Sequence, residues 1–182
     1  MEPIHFCVWG KPKTQGSKKV DAIYRKGADG RPVPVTDANG RVITRAREDN
    51  PLLESWRSAV AGAAMKVYDG EVLTGGITLQ IEYRFARPKS HYGSGRNVRV
   101  LKPSAPEHHV QAPDVSKLTR AVEDALTGVL WQNDGQVWQE RHRKVWVPMW
   151  EREGAIILVL PDDVGTLAER QQAAQGTLAL VG

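Results

Sequence analysis

Two carboxylates bracket one short helical stretch in "QAPDVSKLTRAVEDALTGVLWQNDGQVW", residues 111–138. Asp114 follows Pro113 and opens an amphipathic run, and Asp134 lies beyond Gly128 in a turn-like segment. Either residue alone has an ordinary explanation. A carboxylate before a helix caps its orphan amide groups and suits the macrodipole, a role Ser116 can share. An aspartate in a turn bonds its own backbone. The pair asks for more. About twelve helical residues rise ~18 Å, and a return through "GVLWQN" is expected to bring Asp134 back beside Asp114. Converging carboxylates repel unless they share a proton or a cation. An oxygen-rich pair in a basic protein is what magnesium prefers.

The intervening helix has two faces. Leu118, Val122, Ala125 and Val129 form an apolar stripe. Ser116, Arg120, Glu123 and Thr127 lie opposite, with Lys117 and Asp124 at the edges. Arg120 either pairs with Asp124 on the surface, worth a few tenths of a kcal/mol, or directs a cation at a phosphate beside a metal.

The elements that must position these residues are legible around them. "IHFCVWG" alternates as a strand, and "KPKTQGSKKV" is a lysine-rich loop. Residues 21–42 read as hairpin material punctuated by "ADG" and "ANG". A first helix follows in "NPLLESWRSAVAGAAMKVY", with Asn50 as cap, Pro51 in its first turn, and Leu53, Trp56, Val60, Ala64 and Val67 as its stripe. "GGITLQIEYRFARP" puts Ile77, Leu79, Ile81, Tyr83 and Phe85 on one face of a strand. Residues 87–112 form a long basic loop, and loops of that length are usually functional or disordered. A helix at about 115–127 ends at Gly128, and "QVWQERHRKVWVPMW" and "GAIILVLP" read as two strands joined through "EREG". This predicts one α+β domain over 1–160, a mixed sheet with two main helices packed on it, and a weakly packed or helical tail over 161–182.

The chain has 182 residues, a formal charge of +4 and one cysteine, Cys7. That excludes an intrachain disulfide and a cysteine-built zinc site. No apolar run reaches the roughly 20 residues of a membrane span, and no signal peptide is evident, so the expectation is a cytoplasmic protein with no membrane partner. "HH" at His108 and His109 points its side chains apart, which favours solvated or DNA-contacting histidines, His91 among them, over a zinc site. Trp138 and Trp146 share a strand face with Lys144; core packing or a dimer interface is the default for them, ahead of base stacking.

"PDVSKLTRAVEDALTGVLWQNDGQV", with Lys144 ten residues after Asp134, resembles the signature of RusA-type Holliday junction resolvases. "GKPKTQGSKK" and "PKSHYGSGRN…LKPSAP" are similar to the opening and the long loop of phage-type members. The resemblance implies a small α+β homodimer in bacterial or phage-infected cells that nicks four-way DNA junctions symmetrically. It implies magnesium, with manganese as a substitute, and no small-molecule cofactor. By motif position it assigns metal-binding roles to Asp114, Asp134 and Asp124, and a strand cation to Lys144. This chain departs from the pattern at three places: Ser116 stands where the family has its second aspartate, Arg120 where it has its catalytic lysine, and Asn133 for the first of paired aspartates. Arg120 keeps a charge but gives up no proton. Ser116 can offer an oxygen to the metal. The catalytic set is then Asp114, Asp134, Arg120 and Lys144, with Lys13, Lys18, Lys19, Lys89, Arg96, Arg99 and Lys117 holding the DNA backbone. A junction binder of the same fold that has lost catalysis, and a single-strand binding module, are the competing readings.

Overall fold

The computed structural model describes residues 2–16, 18–48 and 52–162. Its centre is a mixed four-stranded sheet of β1 (Ile4–Trp9), β8 (Gly154–Pro161), β6 (Ile77–Ala86) and β7 (Val137–Val147), in that order. β8 runs antiparallel to both β1 and β6, whereas β6 and β7 are parallel and pair Tyr83 with Lys144. A parallel pair needs a long crossover, and here the connection contains the loop over 87–112 and helix α2 (Val115–Leu126).

Alternation along β6 buries Ile77, Leu79, Ile81, Tyr83 and Phe85 against helix α1 (Leu53–Met65) and α2. Each such side chain contributes roughly 1.5–3 kcal/mol when fully buried, so this face dominates the core. α1 adds Leu53, Trp56, Val60 and Ala64. The expected fifth member of its stripe, Val67, is exposed. The helix has ended by then, because the amides of both Val67 and Tyr68 turn back onto the Ala64 carbonyl. The N-cap position falls on Leu52 without a side-chain bond, and the anticipated cap and proline, Asn50 and Pro51, lie outside the described residues. So does the tail beyond residue 162.

α2 buries Leu118, Val122 and Ala125 as its spacing predicts, and also Thr119, Ala121 and Leu126. Thr119 links sheet to helix: its hydroxyl donates to the Val115 carbonyl at 3.1 Å and accepts from Tyr83 at 3.3 Å. Burial pushes the Tyr83 phenol up, so it stays a neutral donor. α2 thus lies antiparallel to β6 and β7.

The long loop is ordered, with two short 3-10 turns at Lys89–His91 and Gly95–Asn97. Arg87 donates to the carbonyls of Pro106 and Glu107, and Lys102 to that of Ser90. Residues 18–48 form a separate exposed arm of two small sheets. In one, β2 (Lys18–Ala22) pairs with β5 (Thr44–Glu48); in the other, β3 (Tyr24–Lys26) pairs with β4 (Pro32–Pro34). The turns read from "ADG" and "ANG" are there, with Gly30 and Gly40 at φ of 79° and 77°.

Candidate active site

Asp114 is the N-cap of α2. One oxygen, Oδ1, accepts from the amides of Ser116 at 2.9 Å and Lys117 at 3.4 Å. The residue is exposed, as are Ser116, Lys117 and Arg120 along the first turns. Lys144 reaches this end of the helix from β7 and donates to the carbonyls of Gln111 and, at 2.7 Å, Pro113. It holds the start of α2 in place and so is a positioning residue for Asp114. Gln15 donates its amide to the Lys117 carbonyl at 3.0 Å, which brings the segment containing half-buried Lys13 to the same end.

Asp134 is at the other end. The expected return through "GVLWQN" does not occur. Leu130 and Trp131 are fully buried past the helix C-terminus, Leu73 donates to the Leu130 carbonyl, and Trp131 donates its indole N–H to Thr127. The chain therefore enters β7 beside the last turn of α2. It is β7 that makes the return, so it delivers Lys144, not Asp134, to Asp114. The twelve residues of α2 span ~18 Å, so Asp114 and Asp134 stand at opposite ends of that helix within one chain.

The turn presenting Asp134 is fixed by Gln136. Its Oε1 accepts from the amides of Gln132 at 2.8 Å and Asn133 at 3.1 Å, while its Nε2 donates to Leu73 and Gly75 at 2.8 and 3.1 Å. The first two bonds hold the turn together, and the other two tie it to the segment that leads into β6. The glutamine of the Asp-Gly-Gln-Val step is thus a positioning residue, a role its place in the motif did not reveal.

Two further carboxylates stand at the Asp134 end, Glu123 of α2 and Glu140 of β7, and of these Glu140 was missed. Half-buried Glu123 shares a hydrogen bond with Glu140 of β7. Burial, that bond and the negative charges of Glu140, Asp134 and Asp124 push its carboxyl up to about 8. Their only sequence signal was Glu123 on the polar face of α2. Asp124 pairs with Arg57 of α1, not with Arg120. It locks the two helices together, ten residues along from Asp114. Among the described residues no group of three or more His, Cys, Asp and Glu is placed to hold a metal ion. The donors at this end are nevertheless carboxylate oxygens, the kind a hard cation takes.

A raised carboxyl destabilises the fold as pH climbs. Its contribution is full below the ordinary range near 4.5 and is lost as pH rises through about 8. Glu123→Gln is therefore expected to stabilise the protein at pH 8.5 by ~1–2 kcal/mol, well under the full value of the shift because half the side chain meets water. At pH 5 it should change little. Thermal melts at the two pH values check this.

The other anticipated DNA contacts divide. Lys89 and Arg96 are exposed on the loop, while Arg99 stacks over the Trp150 ring at 5.5 Å. Lys18 and Lys19 lie in β2, with side chains outside the described set. His109, expected to be solvated, is buried between Phe85 and Trp146, its ring stacked on the indole at 4.0 Å. Burial pulls its pKa down, and nearby Lys144 adds to the effect. Trp146 is thus a packing residue, as expected by default, whereas Trp138 is exposed.

A mixed sheet with two helices on one face, and acidic groups at both ends of a helix that exposes Lys117 and Arg120, define an α+β protein with charged groups laid out along one surface. The sequence model of the endodeoxyribonuclease RusA family matches residues 29–156, more than two thirds of the chain, and the chain belongs to that family of Holliday junction resolvases. No curated protein matches it. Among the described residues, no helix is long and apolar enough to cross a membrane.

Proposed function

We propose that this protein is a magnesium-dependent endonuclease that resolves four-way DNA junctions by paired nicks. It acts as a homodimer in which each site joins Asp114 of one protomer to the partner subunit's Asp134. The observation that carries this reading is the placement of the two aspartates at opposite ends of one exposed helix face. Two such helices packed antiparallel about a two-fold axis bring unlike ends together, twice. The near two-fold symmetry of a four-way junction then receives one site per matching strand.

Asp114 is suited to its part because Oδ1 serves the helix while Oδ2 is left for a ligand. Asp134 brings Glu123 and Glu140 with it. The chemistry a bound magnesium ion supplies there is acidification of a water and neutralisation of charge on the phosphate. Arg120 and Lys117 hold phosphoryl oxygens as charge accumulates on them, from the exposed face between the two ends. Ser116 offers an uncharged oxygen beside Asp114, which lowers the repulsion between ligands at some cost in metal affinity.

The test is a synthetic junction incubated with purified protein, with and without magnesium. Symmetric nicks on opposed strands that require the ion support the proposal, with manganese as a working substitute. Tight junction binding without nicking under either ion would establish instead a silent binder of the same fold.

A further inference from the structure

The arm over residues 18–48 takes no part in the site just described, and it holds the chain's whole charge imbalance. It contains eight Lys and Arg against four Asp and Glu, an excess of four that equals the formal charge of +4; the rest of the chain carries seventeen of each. Its acids are partly committed to its own turns. Asp37 Oδ1 accepts from the amides of Asn39 and Arg41, and Asp29 Oδ1 from that of Arg31. Arg25, Lys26, Arg41 and Arg45 are exposed and form no ion pair among the described residues.

The arm is a three-way β junction. The amide of Ile23 donates to Ile43, Ile43 to Val35, and Val35 to Ile23, a closed ring of backbone bonds at 2.7–2.9 Å from which the β2–β5 stem and two hairpins radiate. Among its described residues no apolar side chain is buried, and Val20, Tyr24 and Val42 are all exposed. The pairing of Arg25 with Val33 and the bond from Val35 to Ile23 turn the odd residues of β4 toward β3. Pro32 and Pro34 therefore occupy its outer edge, where neither has an N–H to give. A peptide strand cannot extend that edge.

Resting on the DNA reading above, we infer that this arm grips the phosphate backbone of one duplex arm of the substrate, with the β3–β4 ribbon in the major groove. Two strands ~4.8 Å apart fit a groove ~12 Å wide. The cations then stand toward its phosphate walls, and the exposed apolar side chains of the arm lose water against the DNA. The grip is independent of junction geometry, because any duplex offers the same walls.

The test measures binding of full-length protein to a fluorescein-labelled four-way junction, and to a linear duplex of one arm's sequence, in EDTA across a salt series. Substituting Arg25, Lys26, Arg41 and Arg45 together by Gln is expected to flatten the slope of log affinity against log salt by about 3–4 on both DNAs, since each phosphate contact contributes about 0.9. Affinity near 0.1 M salt should fall ~100-fold, while nicking at saturating protein stays at the wild-type rate, which also shows the variant is folded. Arg25→Lys with Arg41→Lys and Arg45→Lys should keep the wild-type slope. Wild-type binding with an unchanged slope in the Gln variant overturns the arm's role alone, and a halved molar mass with that unchanged slope reassigns it as an interface between copies. Failure of the wild type to bind either DNA overturns the DNA reading and this inference together.

Discussion

Asp134→Asn abolishes nicking, by ~1000-fold or more, while junction binding is unchanged or tighter. The carboxylate is lost from a position where positive charge must be held against a phosphate, yet the shape is kept. The turn stays fixed because Gln136, not Asp134, makes its four clamping bonds. Removing a negative charge beside DNA does not weaken binding. Glu123 should titrate lower in this variant, since Asp134 is one of the charges that raise it. Single-turnover nicking and anisotropy binding on one junction separate the two effects. Lost binding would instead make Asp134 part of the fold.

Arg120→Ala is expected to lower the single-turnover nicking rate by ~100-fold, the scale seen when one charge-stabilising group leaves a transition state. Junction affinity should drop only modestly, one phosphate contact among many being lost. Arg120→Lys should retain most of the rate, because the role left to arginine is charge and not proton transfer. The structure removes the alternative partner: Asp124 is held by Arg57, so Arg120 is not tied down on its own helix. Equal rates for wild type and Arg120→Ala would leave it a solvated surface residue.

What could be read from the sequence, and what could not, divides along local and long-range physics. The alternation of β6 and the spacing of α2 showed which faces are buried, because each pattern repeats within a few residues. The turns at Gly30 and Gly40 were legible for the same reason. The path after Gly128 was not. Whether "GVLWQN" doubles back or runs on depends on where Trp131 and Leu130 find their burial, which lies beside Leu73. That one step moved Asp134 from one end of the helix to the other. Glu123 with Glu140 was hidden likewise, since the pair exists only once α2 lies on β7. His109 read as polar loop because its stacking partner Trp146 is thirty-seven residues away. The arm's turns were visible, but its three-way ring joins Ile23, Val35 and Ile43, which no local pattern connects.

The claim that each site is built from two chains has a direct measurement. Asp114→Asn, whose asparagine still caps α2, and Asp134→Asn are purified separately, then mixed under conditions that exchange subunits, and assayed on a four-way junction with magnesium. Each variant alone is inactive. In a mixed dimer one site contains both substitutions and the other neither, so random exchange restores about a quarter of the intact sites, and nicks fall on one strand per junction. No recovery in a mixture shown by light scattering to have exchanged would place both aspartates in the same chain's site and contradict the account.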